Sequence, residues 1–287
     1  MPPFVRTLLA EGLGTFILVL FGCGAVHSAV LTGSQSGLWQ VAIVWGSGVA
    51  FAAYCVGGVS GAHINPAMTI ALAVWGRFPW SKVGPYIAVQ LAGAILAAAA
   101  LFVIYGPNLK AKEEALGVRR GELGSMVTAS CYGEFYPNPG LAVPADGKWS
   151  DSAWATFKLR VTFLQAFVAE VLCTAVLALV VFAATDGRNS AAPAGYLAPL
   201  VIGLTVACLI SIIAPLTQCC LNPARDFGPR LFTWFAGWGS AALPGPNGHG
   251  VVTVYILAPI LGAIAGGGIY DNLLKPAFVD KGTGRRG

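Results

Sequence analysis

The sequence predicts an all-α membrane protein: six spanning helices and two re-entrant half-helices, arranged as an inverted repeat around a central pore. Three observations carry that prediction. Hydrophobic residues make up 56% of the 287 positions and charged residues only 10%, with a mean hydropathy of +0.72. A soluble domain carries about 25% charged residues. Six long apolar segments stand out, each near the ~20 residues that a spanning helix needs. One short motif then occurs twice, as Asn65-Pro66-Ala67 and Asn222-Pro223-Ala224, each time after small and polar residues and before an apolar run.

The elements follow in order. The first apolar segment, about Val5–Leu31, contains Glu11 and continues past signal-peptide length without an A-x-A site. It reads as a membrane helix and not as a removed leader. Leu38–Val56 is the second span. At Asn65 the chain starts a helix, because Asn caps free N–H groups and Pro66 sits at the first position, where its missing N–H costs nothing. The apolar run after it is too short to span, so it reads as a loop plus a buried half-helix. Val83–Tyr105 is the third span, followed by a long polar connection, Gly106–Arg160. Val161–Thr185, Tyr196–Pro215 and Val251–Leu274 are the remaining spans, with the second Asn-Pro-Ala half-helix before the last. Gly and Ala are dense throughout, at Gly12, Gly14, Gly22, Gly24, Gly262 and Gly266 among others, as expected where lipid gives no hydrophobic drive for helix association.

The two halves repeat. AEGLGTFILVLFGCGAV from Ala10 resembles AEVLCTAVLALVVFAAT from Ala169; Glu11 precedes Asn65 by 54 residues and Glu170 precedes Asn222 by 52. With three spans per half, the second half enters from the opposite side, and the half-helices dip in from opposite faces to meet near the middle. Residues 1–105 are then the first repeat, 106–160 an extracytoplasmic loop, 161–274 the second repeat and 275–287 a cytoplasmic tail, all within one channel domain. Arg6, Arg77, Lys82, Arg188, Lys275, Lys281, Arg285 and Arg286 fall on one side, while the connections Thr32–Gly37 and Gly237–Gly250 have no Lys or Arg. That side is expected to be cytoplasmic, with both termini inside.

Several function classes fall away. The net charge of +5 lies in loops and tails and reads as membrane-flanking charge, with no nucleic-acid partner. The seven cysteines form no CxxC pair at metal spacing, so neither a metal site nor a disulfide framework is expected. No nucleophile–base pair appears, so no catalytic residue, no cofactor and no enzyme is predicted.

The residues that remain point to a pore. Asn65 and Asn222 offer two amide donors where two positive half-helix ends converge; as ordinary N-caps they would need no second copy at a matched distance from a matched Glu. Glu11 and Glu170 read as the only carboxylates inside spans, and each is expected to accept from backbone N–H groups of its loop. That turns the carbonyls of Gly61, Ala62, His63 and Ile64, and of Thr217, Gln218, Cys220 and Leu221, toward the pore. His63 is expected to be packed and hydrogen-bonded. Arg225 at membrane depth must face a cavity or a partner.

SGAHINPAMTIAL and LNPARDFGPRLF resemble the signatures of the major intrinsic protein family, the aquaporins and glycerol facilitators, and the resemblance covers nearly the whole chain. It implies the aquaporin-like fold, a homotetramer with one pore per protomer, and a selectivity filter of Trp45, Ile210, Cys219 and Arg225. Asp226, Arg230, Pro259-Ile260, Ala236–Gly239 and Tyr136–Pro139 resemble the glycerol-conducting branch. The chain departs from that branch in having Ile210 where Gly is usual and Cys219 where Phe is usual. The resemblance implies a passive channel for glycerol, related polyols and water in the lipid bilayer. The short tails point to a cytoplasmic membrane, and Cys219 near the pore leads to an expectation of mercurial sensitivity. The alternatives are a water-selective or urea- and gas-passing channel and, from another class, an ion-coupled secondary transporter. Against the transporter, no Asp, Glu or Lys cluster is evident mid-membrane to bind a driving ion.

Overall fold

A computed structural model describes residues 1–35 and 37–278. Lys281, Arg285 and Arg286, and most of the predicted tail, lie outside the described residues. In chain order the principal helices are α1 (Pro3–His27), α2 (Leu38–Ser60), the short α3 (Pro66–Val74), α4 (Val83–Leu116), α5 (Phe163–Ala184), α6 (Ala198–Thr217), the short α7 (Pro223–Thr233) and α8 (Gly250–Ala277). All but α3 and α7 are long and apolar enough to cross a membrane. With 9 and 11 residues, α3 and α7 rise only ~13 and ~17 Å, about half of a ~30 Å hydrocarbon layer.

Both short helices start as the sequence predicts. The Asn65 Oδ1 accepts from the Ala67 N–H at 2.8 Å; the Asn222 Oδ1 accepts from the Ala224 and Arg225 N–H groups at 3.0 and 3.3 Å. Pro66 and Pro223 occupy the first helical positions.

Packing repeats between the halves. α1 lies against α2 and α4, and α5 lies against α6 and α8. The short helices exchange partners: α3 packs on α8 of the second half, and α7 packs on α4 of the first. α2 and α6 join the halves at Gly46 and Gly203, where a Cβ on either would come within 2.3 Å of the other's carbonyl oxygen. Only glycine permits that approach, and close backbone approach is what holds membrane helices together.

The third span differs from expectation. α4 runs 34 residues to Leu116, through Pro107, and ends on Gly117 at φ +72°. Gly106-Pro107 reads as a terminus, yet the strong helix formers of Lys110–Leu116 carry the helix on, and the left-handed glycine stops it. The expected 106–160 loop is thus helical at its start, with short helices at Met126–Ala129 and Asp151–Phe157 further on. This also corrects the reading of Glu11 and Glu170 as the only carboxylates in spans. Glu113 and Glu114 lie on α4 and Asp271 on α8; Glu113 pairs with Arg120 at 3.1 Å and Asp271 with Lys275 at 3.2 Å and with Arg77.

Candidate functional site

The two half-helices are approached through loops of one backbone shape. Four, three and one residues before each Asn, the backbone is left-handed: Gly61 (φ +86°), Ala62 (+48°) and Ile64 (+43°) in the first loop, Gln218 (+62°), Cys219 (+64°) and Leu221 (+55°) in the second. Such conformations cost about 1–3 kcal/mol for a non-glycine residue and persist only where the surroundings impose them.

The imposing groups are themselves paired across the halves. Glu11 accepts from the Ile64 N–H, and from the Gln90 side chain at 2.8 Å. Glu170 accepts from the N–H groups of Cys220 and Leu221 at 2.9 and 3.0 Å and from the Thr217 hydroxyl at 2.6 Å. The Ser60 Oγ accepts from the Ala62 N–H at 3.0 Å, and the Thr217 Oγ1 from the Cys219 N–H at 3.1 Å. Finally, the Tyr86 hydroxyl donates to the Ser60 carbonyl at 2.8 Å, as the Tyr255 hydroxyl does to the Thr217 carbonyl at 3.2 Å. Glu11 and Glu170 thus accept from their loops as the sequence reading expects. Gln90, Tyr86 and Tyr255 were not legible, because they act from distant spans with no local signature.

The loops meet through the two asparagines. The Asn65 Nδ2 donates to the Leu221 carbonyl at 2.8 Å, and the Asn222 Nδ2 to the Ile64 carbonyl at 2.7 Å. Each amide nitrogen carries a second hydrogen. Both asparagines line one cavity of about 490 Å³, together with Trp45, Ile210, Cys219 and Arg225, and with Gly61, Ala62, His63, Ile64, Cys220 and Leu221. Tyr54 and Tyr196, joined by a 2.8 Å hydrogen bond from hydroxyl to carbonyl, are also among the lining residues. Thr217 and Gln218 are not among the lining residues. The Thr217 carbonyl is taken by Tyr255, and the Gln218 side chain accepts from the Phe135 N–H at 2.8 Å. His63 is packed against Phe78 and Tyr86, with its Nδ1 3.2 Å from the Thr69 hydroxyl.

Around Arg225 the charges are crowded. Its guanidinium lies over the Trp45 ring, 3.9 Å from the centroid, and its edge forms an ion pair with the buried Glu134. Trp45 fits because Gly22 faces it; a Cβ there would fall 2.0 Å from the indole. Asp226 and Arg230 form a second buried pair at 2.8 Å. Asp226 also accepts from the Glu134 N–H at 2.6 Å, while Arg230 donates to the carbonyls of Glu134 and of Ala242, the latter at 2.7 Å. Asp226 and Arg230 therefore clamp two connecting segments onto α7. Pro259 and Ile260 line no part of the cavity: Pro259 is buried in α8, and Ile260 packs on the cluster that holds Ala67 and Met68. Glu134 was missed in the sequence, since it lies in the long connection, 91 residues before Arg225, with no motif to join them. Among the described residues no group of His, Cys, Asp and Glu is placed to hold a metal ion.

Comparison with known proteins agrees with this architecture. The family model described as major intrinsic protein matches residues 1–270. The glycerol uptake facilitator protein of Pseudomonas aeruginosa is 42% identical over 273 residues, which cover 95% of this chain and 90% of that protein. The propanediol uptake facilitator of Citrobacter freundii is 41% identical over 93% of this chain and 91% of its own length. In three dimensions the aquaglyceroporin from Plasmodium falciparum superposes with a TM-score of 0.77 at 23% identity, over 95% of this chain and 98% of that one. By its signatures, its mirrored half-helices and a match along almost its full length, the chain belongs to the major intrinsic protein family.

Proposed function

We propose that the chain is a passive channel that carries glycerol and related small polyols, with water, down their gradients. The observation that carries this reading is that Asn65 and Asn222, at the tips of two half-helices, share one cavity with Arg225 and Trp45. A helix N-terminus holds roughly half a positive charge, and two of them face the same passage. A cation meets that potential unshielded, whereas a hydroxyl oxygen accepts from the amides. Trp45, Val49 and Ile210 offer apolar wall for a carbon backbone. Glu11 and Glu170 act by holding the loops, and Trp45, Ile210, Cys219 and Arg225 act as the filter. The solute gives up its hydration to several weak sites and leaves each as readily as it entered. The facilitators of glycerol and of propanediol among the relatives support polyols as the solute class. In the same reading the chain forms tetramers in the plasma membrane with both termini cytoplasmic.

One observation favours a second reading, a water-selective or urea-passing pore. Ile210 and Cys219 both line the cavity, leaving Trp45 as the filter's one aromatic. Stopped-flow light scattering on proteoliposomes separates the two readings. Challenge with glycerol, urea and an impermeant osmolyte should give glycerol re-swelling well above empty vesicles. Fast water exit without glycerol entry would favour the second reading, and uphill accumulation driven by an ion gradient would favour a coupled transporter.

A further inference from the structure

Arg225 and Arg230 each have a partner of opposite sign, and one of those partners, Glu134, has no place in the signatures. Glu134 is 2% exposed and in ion-pair contact with Arg225, whose side chain is 6% exposed. The guanidinium face is spent on Trp45 and one edge on Glu134. The carboxylate is itself fixed from behind, because the Glu134 N–H and carbonyl are both held by the Asp226–Arg230 pair. Glu134 also keeps one oxygen with no hydrogen-bond partner in the protein. Nothing in the fold of the helices requires an acid at this point: its backbone is already anchored by Asp226 and Arg230, and a neutral side chain would leave those bonds in place.

We propose that Glu134 is a positioning and selectivity-determining residue, which cancels the charge of Arg225 and pins its guanidinium against Trp45. The filter then presents oriented N–H donors without a net charge. This rests on the channel reading above and deepens it. The physical consequence concerns how tightly a passing oxygen is held. An unpaired guanidinium in a confined, weakly polarisable passage binds water far more strongly than one whose charge is neutralised at contact distance. Tight binding at one site slows transit, since each molecule must leave as readily as it enters. Cation exclusion in such a filter falls to the half-helix ends at Asn65 and Asn222.

The test uses Glu134→Gln, which keeps size and loses charge, Glu134→Asp, which keeps charge, and Arg225→Gln alone and combined with Glu134→Gln. Water permeability per folded channel and its temperature dependence are measured in proteoliposomes, with folded protein counted by size-exclusion fluorescence. Glu134→Gln should lower water permeability by about tenfold, the scale of one extra hydrogen bond to a charged group, and steepen its temperature dependence. Glu134→Asp should recover most of that loss. In the Arg225→Gln background, Glu134→Gln should add no further steepening, because no unpaired charge is left. A merely architectural role would lower the folded fraction and leave the per-channel temperature dependence unchanged, which would overturn the proposal, as would the same steepening in both backgrounds. Should Glu134→Gln alone not fold, recovery of folding in the double variant supports the pairing, and failure of both overturns it. Wild-type vesicles no leakier to glycerol than empty ones would instead count against the channel reading.

Discussion

The two halves of the molecule build the same loop and fill it differently. Around Asn65 and Asn222 the left-handed residues, the supporting Glu, the hydroxyl that catches the loop's second N–H and the tyrosine on the preceding carbonyl all correspond. Three residues after each Asn the correspondence ends: Met68 stands in the first half and Arg225 in the second. Only the second half has a carboxylate paired to that position. The lesson is a division of labour. What recurs is the hydrogen bonding that holds the left-handed backbone of each loop, and what differs is the side chain placed just beyond it.

The largest test strikes the shared apparatus where its two copies are unequal. Glu170 receives three donors and Glu11 two, one of them Gln90, which also reaches Thr69 at 3.0 Å. A stranded buried donor costs about 1–3 kcal/mol. Glu170→Ala should therefore lose several kcal/mol and nearly all glycerol flux, with Glu11→Ala milder in both. Thermal unfolding in detergent, read beside proteoliposome flux, ranks the two. Equal losses would mean that the loops do not depend on donor count.

A middle-sized test imports the second half into the first. Eleven residues after Glu11 stands Gly22, and eleven after Glu170 stands Val181. Gly22 gives Trp45 its seat, whereas Val181 lines the cavity. Gly22→Val should push the indole toward the lumen, with about 1–3 kcal/mol of overpacking cost. Glycerol permeability should fall more than water permeability, because the larger solute needs the aperture. A proportional fall in both would show that Trp45 stays in place and the damage is to folding alone.

How much of this the sequence discloses depends on how local the cause is. Asn-Pro-Ala writes cap, first turn and half-helix into three adjacent residues, and hydropathy writes the spans, so the architecture was readable. Glu11 and Glu170 were readable because a carboxylate in an apolar run needs donors, and the nearest unsatisfied backbone is a loop. The extent of α4 was misjudged since Gly106-Pro107 carries a stop signal that tertiary packing and the Lys110–Leu116 propensity override. Thr217 differs from its expected place because offset from Asn222 says that it joins the loop but not that a distant tyrosine has claimed its carbonyl. Glu134 was out of reach for the same reason. Its partner is set by how a long connection packs against α7, and no spacing rule encodes that.

The smallest test asks whether the correspondence extends to energy. Tyr86 and Tyr255 come from the third spans of opposite halves and each donates one hydrogen bond to the carbonyl that opens a loop, at 2.8 and 3.2 Å. Both rings are almost wholly buried, at 2% and 0% exposure, so neither carbonyl regains water when the hydroxyl is removed. Tyr86→Phe and Tyr255→Phe should each cost about 0.5–1.5 kcal/mol, the net worth of one such bond. The pair should add, because the two sites share no hydrogen-bond partner. Chemical or thermal unfolding of the single and double variants measures this, and glycerol flux should stay near wild-type in all three, since the carboxylates still hold the loops. A double variant much worse than the sum would tie the two loops into one cooperative unit through the crossed Asn65–Leu221 and Asn222–Ile64 bonds. A loss confined to Tyr255→Phe would show instead that only the second half, where the donors are more numerous, needs its loop braced from the far span.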